Sequence, residues 1–214
     1  KILQRALLMN WLRFWNKCFQ RENYQTYQSK HRGLWGQIFR LYSTFKSMLT
    51  YSSLSLENIN EATKLVRSVF PDDFNGQEGI DAYNASLNKE NYKSFFESHH
   101  LETLEYFVVG DSSSEKIIGV TGWYTRTIDD KDTIWLGWYC LSQEERGKGF
   151  GRKILEWTMD KAREKGYTKM KLYTSTDPNE ATAQILYEKL GFKIVDEELK
   201  EGENYKTLYR ECIL

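Results

Sequence analysis

The residues best suited to chemistry lie between Leu141 and Leu155, where three glycines alternate with basic residues. Gly147, Gly149 and Gly151 join an apolar run to a helical pattern, and glycine permits tight turns and the close approach of a ligand. A glycine turn that opens a helix presents free N–H groups and the positive end of the helix dipole. Full positive charges in the same stretch come from Arg146, Lys148, Arg152 and Lys153. The stretch therefore predicts a site for phosphate or pyrophosphate.

The spacing within this loop separates it from two common nucleotide-binding motifs. Lys148 is followed by Gly149 rather than by the Ser or Thr that holds magnesium in a Walker loop. The third glycine comes one residue too early for the dinucleotide fingerprint, which would place it at Arg152. The pattern Arg146-x-x-Gly149-x-Gly151 instead resembles the coenzyme A loop of the Gcn5-related N-acetyltransferase (GNAT) family. Taken alone, the same glycines would also fit a tight loop without a ligand.

A second block strengthens this resemblance. Residues 168–192 resemble the next strand and helix of the family, marked by an Asn and then by Ala-x-x-Leu-Tyr-Glu-Lys-Leu-Gly-Phe. Here these residues are Asn179, Ala183 and Leu186–Phe192, with Asn179 one residue further from Ala183 than is usual. The resemblance covers residues 48–214 and leaves out the first 47.

The resemblance implies an α/β fold of the GNAT type, with a mixed central sheet flanked by helices. It also implies an enzyme that moves an acetyl group from acetyl-coenzyme A directly to a primary amine of a small molecule or peptide, without an acyl-enzyme and without a metal. A non-catalytic acyl-coenzyme A sensor on the same fold stays open as an alternative. The residues that the resemblance assigns to cofactor binding are Tyr139, Leu141, Arg146, Gly147, Lys148, Gly149, Phe150, Gly151, Arg152 and Asn179.

Tyr187 is the candidate catalytic residue. In the family, the tyrosine of this motif commonly lies near the thioester sulfur and acts as a general acid. Periodicity alone favours a core tyrosine, because Tyr187 belongs to an apolar helical stripe with Ala183, Leu186 and Leu190. The strand end at Tyr139–Leu141 would contribute backbone groups, which in the family pair with the pantetheine arm and polarise the carbonyl.

A general base is not evident in the sequence. Many relatives carry a glutamate on the strand before the loop, but Trp135 stands in that place here. Alternation puts Trp135, Gly137 and Tyr139 on one face of the strand, and none of them is a carboxylate. Cys140 is expected on the opposite face as a packing residue, which argues against a covalent cysteine mechanism. The nearby carboxylates Asp129, Asp130 and Asp132 are expected to form a solvated turn.

The elements that must position these residues can be read from periodicity. Strands are predicted at 50–56, 106–109, 117–124, 133–141, 170–174, 192–196 and 205–213, with helical patterns at 57–70 and 76–99. The glycine loop directly precedes one predicted helix. Another starts at Asp177, with Pro178 at the first helical position and Glu180 completing a capping box, and ends at Gly191.

The net charge of the chain is zero, but its two parts carry net charges of opposite sign. Residues 1–47 carry nine Lys and Arg against one Glu, whereas the remainder carries 21 basic and 29 acidic residues. We therefore expect a basic amphipathic helical extension (1–47) and a transferase domain (48–214) that does not need it. The aromatic side of the extension could pack on this domain, on a second copy as in a homodimer, or on a membrane surface. The extension alone would support a nucleic-acid adaptor, and we expect no nucleic-acid partner for the transferase.

Other features of the composition concern location and acceptor. Three scattered cysteines fit a reducing cytosol, and no apolar run approaches the length of a transmembrane segment, so a cytoplasmic protein is expected. Five carboxylates lie within 196–203, and another acidic group lies near the first helices. In the family both regions border the acceptor cleft, which predicts a cationic amine as acceptor. A solvated acidic surface would give the same pattern.

Overall fold

The computed structural model describes residues 49–71, 75–112 and 116–214, and Leu49–Leu214 form one compact unit. The predicted extension over residues 1–47 lies outside the described residues. The helices are α1 (Ile59–Val69), α2 (Asn75–Leu87), α3 (Lys93–Ser98), α4 (Phe150–Glu164) and α5 (Ala181–Lys189). The strands are β1 (Leu49–Ser53), β2 (Leu101–Asp111), β3 (Ile117–Arg126), β4 (Thr133–Leu136), β5 (Cys140–Leu141), β6 (Lys169–Ser175), β7 (Lys193–Glu198) and β8 (Thr207–Ile213).

The strands form one mixed sheet in the order β1-β2-β3-β4-β6-β8-β7, with β5 paired to β3. The β4–β6 pair is parallel and every other described pair is antiparallel. A parallel pair needs a crossover, and α4 supplies it between β5 and β6. This is the predicted mixed sheet flanked by helices. Among the described residues, none of the helices is long and apolar enough to cross a membrane.

Helices cover both faces of the sheet. On one face, α1, α2 and α3 bury a core that includes Tyr83, Tyr106 and Val120. On the other face, α4 and α5 bury a second core that includes Leu155 and Tyr187. The alternation of side chains along β2 and β3 supplies residues to both cores, whereas β6 supplies Met170 and Leu172 to the second core.

The sheet opens in its middle, between β4–β5 and β6. The parallel pairing of β4 with β6 ends at Trp135↔Lys171, whereas β6 continues along β8 as far as Ser175↔Thr207. The cause is a β-bulge in the strand that leads to the glycine loop. Gly137 N–H donates to Gly122 O at 2.9 Å, and Cys140 is the partner of Val120, so two residues of one strand oppose Thr121 of the other.

Tyr106 of β2 holds this bulge. Its hydroxyl accepts the Trp138 N–H at 3.2 Å. Its ring lies across the paired glycines of β3 and β4–β5. A Cβ at Gly122 would lie 2.3 Å from the Tyr106 ring, and one at Gly137 would lie 2.8 Å from its hydroxyl. Both positions therefore require glycine because the tyrosine ring fills the space above them.

The bulge corrects the prediction of one continuous strand over 133–141. The strand is interrupted between Leu136 and Cys140, and the alternation of its side chains shifts by one residue. Tyr139 packs on the α4–α5 side, away from Trp135, whose ring stacks on Tyr124 of the opposite face. Cys140 packs beside Tyr83 and Tyr106, on the same side as Trp135 and not on the opposite one. The cysteine is nevertheless a packing residue, since burial raises its pKa to about 11 and keeps the thiol protonated.

The start of the last helix also differs from its prediction. Asp177 Oδ1 accepts the Asn179 N–H at 2.8 Å and Pro178 stands at the first position, but Pro178–Glu180 form a 3-10 turn and α5 begins only at Ala181. The Glu180 carboxylate does not complete a capping box. It accepts hydrogen bonds from the end of β6, from Thr174 Oγ1, from Ser175 N at 3.0 Å and from Ser175 Oγ at 2.6 Å. It therefore ties the helix start to the open edge of β6.

We predict that Tyr106→Phe lowers the free energy of unfolding by about 1–3 kcal/mol, because it leaves the Trp138 N–H without its hydroxyl partner while the ring stays in place. Urea unfolding followed by tryptophan fluorescence would measure the change. Tyr205→Phe, at a tyrosine that is 43% exposed, is the control and should alter stability by less than about 0.5 kcal/mol. Equal stability of the two variants would contradict the assigned role of Tyr106.

Candidate active site

The glycine loop forms a turn that aims backbone N–H groups outward. Gly147 and Gly149 have φ angles of +76° and +79°, in the left-handed region that glycine tolerates best, and a Cβ on either would meet nothing within 4 Å. Gly149 is the N-cap of α4, and the first helical bond runs from Lys153 N–H to Gly149 O at 3.3 Å. The N–H groups of residues 150–152 therefore have no acceptor within the helix. Turn and helix end together make an anion-binding concavity.

The third glycine serves a different purpose. A Cβ at Gly151 would lie 2.8 Å from the hydroxyl of Tyr139, which donates to the Gly151 carbonyl at 2.9 Å. Gly151 is thus required for packing on the end of the bulged strand, while Gly147 and Gly149 are required for the turn. The side chain of Phe150 is buried beside Ile154 and Leu141, so only its N–H faces the turn.

The basic residues of the loop are engaged in weak ion pairs. Lys148 pairs with Glu145 at 3.0 Å, and Arg152 pairs with Glu156 at 2.8 Å. Glu145 and Glu156 are partly buried, whereas Lys148 and Arg152 are exposed. Surface pairs of this kind are worth about 0–1 kcal/mol, so a phosphate group can replace the carboxylate partner at little cost. Arg146 is held differently. Its Nε donates to the Leu141 carbonyl at 3.4 Å, which ties the loop to the end of β5.

The backbone of Tyr139 and Leu141 faces the opening in the sheet. Ser142 N–H donates to Ile118 O at 2.8 Å, and Cys140 is the antiparallel partner of Val120. Because hydrogen-bonding direction alternates along an antiparallel strand, the N–H and C=O groups of residues 139 and 141 point away from β3. They point toward the gap that the departure of β6 leaves. A ligand lying there could form strand-like hydrogen bonds with them.

Tyr187 lies in the second core, 8% exposed, with its ring edge-on to Phe192 at 5.9 Å. Burial raises its pKa, the Glu180 carboxylate raises it further and the Arg210 guanidinium lowers it, so the hydroxyl is protonated at neutral pH. Tyr187 and Tyr139 pack on the same core, and Tyr139 reaches the loop at Gly151. The structure thus brings Tyr187, the bulged strand and the loop together. Asn179 lies exposed on the 3-10 turn before α5, joined to Asp177 through its backbone.

Two residues of this region were not found by sequence reasoning. The hydroxyl of Ser142, directly after β5, is buried and has no hydrogen-bond partner among the described residues. Glu180 was expected to cap a helix and instead binds the end of β6. No short sequence pattern marks either residue, because the position of each depends on how β5 and β6 separate in the folded sheet. Among the three aspartates expected in a solvated turn, Asp129 is half-buried. Its Oδ2 accepts the Trp135 indole N–H at 2.8 Å.

Comparison with known proteins agrees with this arrangement. The model of the acetyltransferase (GNAT) family matches residues 67–192, which is more than half of the chain. The chain belongs to the GNAT family. It is therefore an acetyltransferase of the kind that draws on acetyl-coenzyme A.

Solved structures share the fold at low sequence identity. A GNAT-family protein from Desulfovibrio desulfuricans superposes with a TM-score of 0.63 at 12% identity, covering 78% of this chain and 99% of its own. The ribosomal-protein-S18-alanine N-acetyltransferase of Escherichia coli gives 0.55 at 16% identity, with 78% and 94% covered. The protein yncA of Salmonella typhimurium, solved with its cofactor acetyl-CoA, gives 0.55 at 18% identity, with 78% and 95% covered.

We predict that Gly149→Asp weakens acetyl-coenzyme A binding by about 100-fold or more. Like charges about 4 Å apart repel by about 4 kcal/mol at an effective dielectric constant near 20, and the aspartate would face the bound phosphates. Isothermal titration calorimetry would measure the affinity. Gly166→Asp is the matched control, because Gly166 also has a positive φ (+91°) and open space but follows the other end of α4. Equal affinity of both variants would show that the loop does not bind the phosphates.

Proposed function

We propose that this enzyme transfers an acetyl group from acetyl-coenzyme A directly to a primary amine of a small molecule or peptide. The observation that carries the proposal is the junction of an opened sheet with an anion-binding helix start. The gap between β4–β5 and β6 leads to the turn at Gly147–Gly149. Acetyl-coenzyme A has matching parts, a long arm with amide groups and a pyrophosphate, and it supplies an acetyl group activated as a thioester.

The residues present fit this ligand. The backbone groups of Tyr139 and Leu141 would pair with the pantetheine arm, and the unpartnered Ser142 hydroxyl lies at the same strand end. The turn Arg146–Arg152 would bind the pyrophosphate through N–H groups, with Lys148 and Arg152 free to exchange their carboxylate partners. We propose a further contact from Asn179, which is exposed at the start of the last helix.

Tyr187 is proposed as the general acid that protonates the leaving sulfur. Its hydroxyl is protonated at neutral pH, as a proton donor requires. Tyr187 is buried in the second core, but this core extends to the cofactor loop, because Tyr139 packs against it and donates a hydrogen bond to Gly151. A buried Tyr187 can therefore still act as an acid at the proposed site. The state of Cys140 supports direct transfer without an acyl-enzyme, because its buried thiol has a pKa of about 11 and stays protonated.

We propose a cationic amine as the acceptor and residues 48–214 as the catalytic unit. Five carboxylates lie between Asp196 and Glu203, and Glu78 and Asp81 lie on α2. Negative potential of this kind attracts cations. All the residues to which we assign a role in binding or transfer lie between Glu78 and Glu203, within the compact unit Leu49–Leu214.

We predict that Tyr187→Phe lowers kcat by about 10²- to 10⁴-fold, the usual contribution of a general acid, while the affinity for acetyl-coenzyme A changes little. Release of coenzyme A under saturating substrates would measure kcat, and calorimetry would measure affinity. Tyr167→Phe, in another tyrosine that packs against the same core, is the control and should keep its activity. Unchanged turnover in Tyr187→Phe would leave Tyr187 with a packing role alone.

A further inference from the structure

Glu78 is a half-buried carboxylate at the edge of the opened sheet. It lies in the first turn of α2, and the next residue, Gly79, packs against the Trp138 indole, where a Cβ would lie 3.3 Å from the ring. This brings the start of α2 onto the bulge itself. The carboxylate is close enough to Tyr106, which holds the bulge, and to Tyr173 of β6, across the gap, to raise the pKa of both hydroxyls. Glu78 thus lies at the helix start that packs on the bulge, with Tyr106 and Tyr173 near enough to feel its charge.

The groups around Glu78 leave its carboxylate available to accept a proton. In the described part of the chain, its ion-pair partner is His99 at the end of α3, with Nε2 3.9 Å from Oε1. The other imidazole nitrogen, Nδ1, is 2.9 Å from the Phe95 carbonyl. Asp81 lies one turn further along α2. The Gln77 side-chain amide donates to Asp81 Oδ1 at 3.0 Å and accepts a hydrogen bond from Arg67 at 3.0 Å. Glu78 itself has no short bond to a cation among these residues. Burial is the main reason that its pKa is raised, with Asp81 raising it further and His99 lowering it.

The other carboxylates near the opening are occupied. Asp129 accepts the Trp135 indole N–H at 2.8 Å and lies within 4 Å of Arg126 and Lys171. Glu180 is bound by the hydroxyl and backbone groups at the end of β6. A group that takes up a proton needs a lone pair free to receive it, and neither of these carboxylates offers one as readily as Glu78.

We propose that Glu78 is the general base of the transfer, accepting a proton from the ammonium group of the acceptor. This inference rests on the proposed function and adds the missing base to it. Glu78 takes one proton from R–NH₃⁺ and passes it to solvent, with His99 on its exposed side. The nitrogen lone pair then attacks the acetyl carbon. The C–N bond forms and the C–S bond breaks, with the electron pair leaving on sulfur. Tyr187 gives its proton to that sulfur and recovers one as the nitrogen loses its second proton.

The same geometry accounts for the choice of acceptor. A half-buried carboxylate beside the bulge attracts an alkylammonium group and orients its nitrogen toward the strand end at Tyr139–Leu141. The raised pKa of Glu78 also brings its basicity nearer to that needed to deprotonate an amine. An acceptor amine that is already neutral at pH 7 would need neither the attraction to a carboxylate nor the removal of a proton before attack.

The test compares Glu78→Gln with Glu61→Gln, which makes the same change at an exposed glutamate in the first turn of α1. Each full-length variant would be assayed for coenzyme A release with an alkylammonium acceptor and with hydroxylamine, which is neutral at pH 7. We expect Glu78→Gln to lose about 10²- to 10⁴-fold in kcat with the alkylammonium acceptor. The loss should shrink as the pH rises toward the pKa of the amine, and should be within about 10-fold with hydroxylamine. Glu61→Gln and His99→Gln should retain activity within about 10-fold.

Three outcomes would overturn the assignment: undiminished turnover in Glu78→Gln, an equal loss with both acceptors, or a loss in His99→Gln alone. Failure of the proposed function would look different, because the wild-type protein would then release no coenzyme A with any amine.

Stability supplies a second readout. The pKa of Glu78 is raised in the folded protein, so the folded state favours the protonated form, and this stabilisation is lost as the pH rises through the folded pKa. Glu78→Gln should therefore melt at a higher temperature than the wild type at pH 7, and the difference should narrow below the ordinary glutamate pKa of 4.5. A less stable variant at pH 7 would mark Glu78 as a structural carboxylate and overturn the proposal.

Discussion

The contact between the Tyr106 hydroxyl and the Trp138 N–H governs the geometry of the site. The Tyr106 ring fills the space above Gly122 and Gly137, and its hydroxyl holds the extra residue of the bulge. Because the strand that contains the bulge bends there, β6 has no pairing with β4 after Lys171, and the sheet opens on that side of β6. The backbone groups that would otherwise close the sheet then become available to a ligand. The structure thus obtains its binding cleft by interrupting a sheet rather than by hollowing out a core.

The opening is bordered by elements from both faces of the sheet. The α4–α5 side brings the glycine turn, Tyr139 and Tyr187, whereas the α1–α3 side brings Tyr106, Trp138 and Glu78. In the proposed reaction, the first group holds the thioester and protonates its sulfur, and the second group receives the amine. The acid and the base therefore belong to different cores, and their protonation is set by separate surroundings. Burial raises the pKa of Tyr187, which keeps its hydroxyl protonated, and the pKa of Glu78, which strengthens it as a base.

Local patterns were sufficient to predict the fold and the loop. Periodicity located most of the helices and strands, and Gly147 and Gly149 predicted a tight turn, in which both residues have positive φ angles. Interactions between distant residues were not predictable in the same way. Alternation placed Tyr139 with Trp135, but a bulge held by a residue more than 30 positions away reverses that side chain. The capping box predicted at Glu180 failed for the same reason, since the open end of β6 competes for the carboxylate. The importance of Glu78 depends on its neighbours Tyr106 and Tyr173, which no spacing in the sequence brings together.

We propose that backbone groups of the bulged strand and the glycine turn hold acetyl-coenzyme A. Hydrogen–deuterium exchange of the full chain, with and without acetyl-coenzyme A, tests it most directly, because it observes the amides themselves. We expect slower exchange in peptides covering residues 139–141 and 146–152, with little change in β7 and β8. Protection that appears elsewhere while these two segments exchange at the same rate in both states would contradict it.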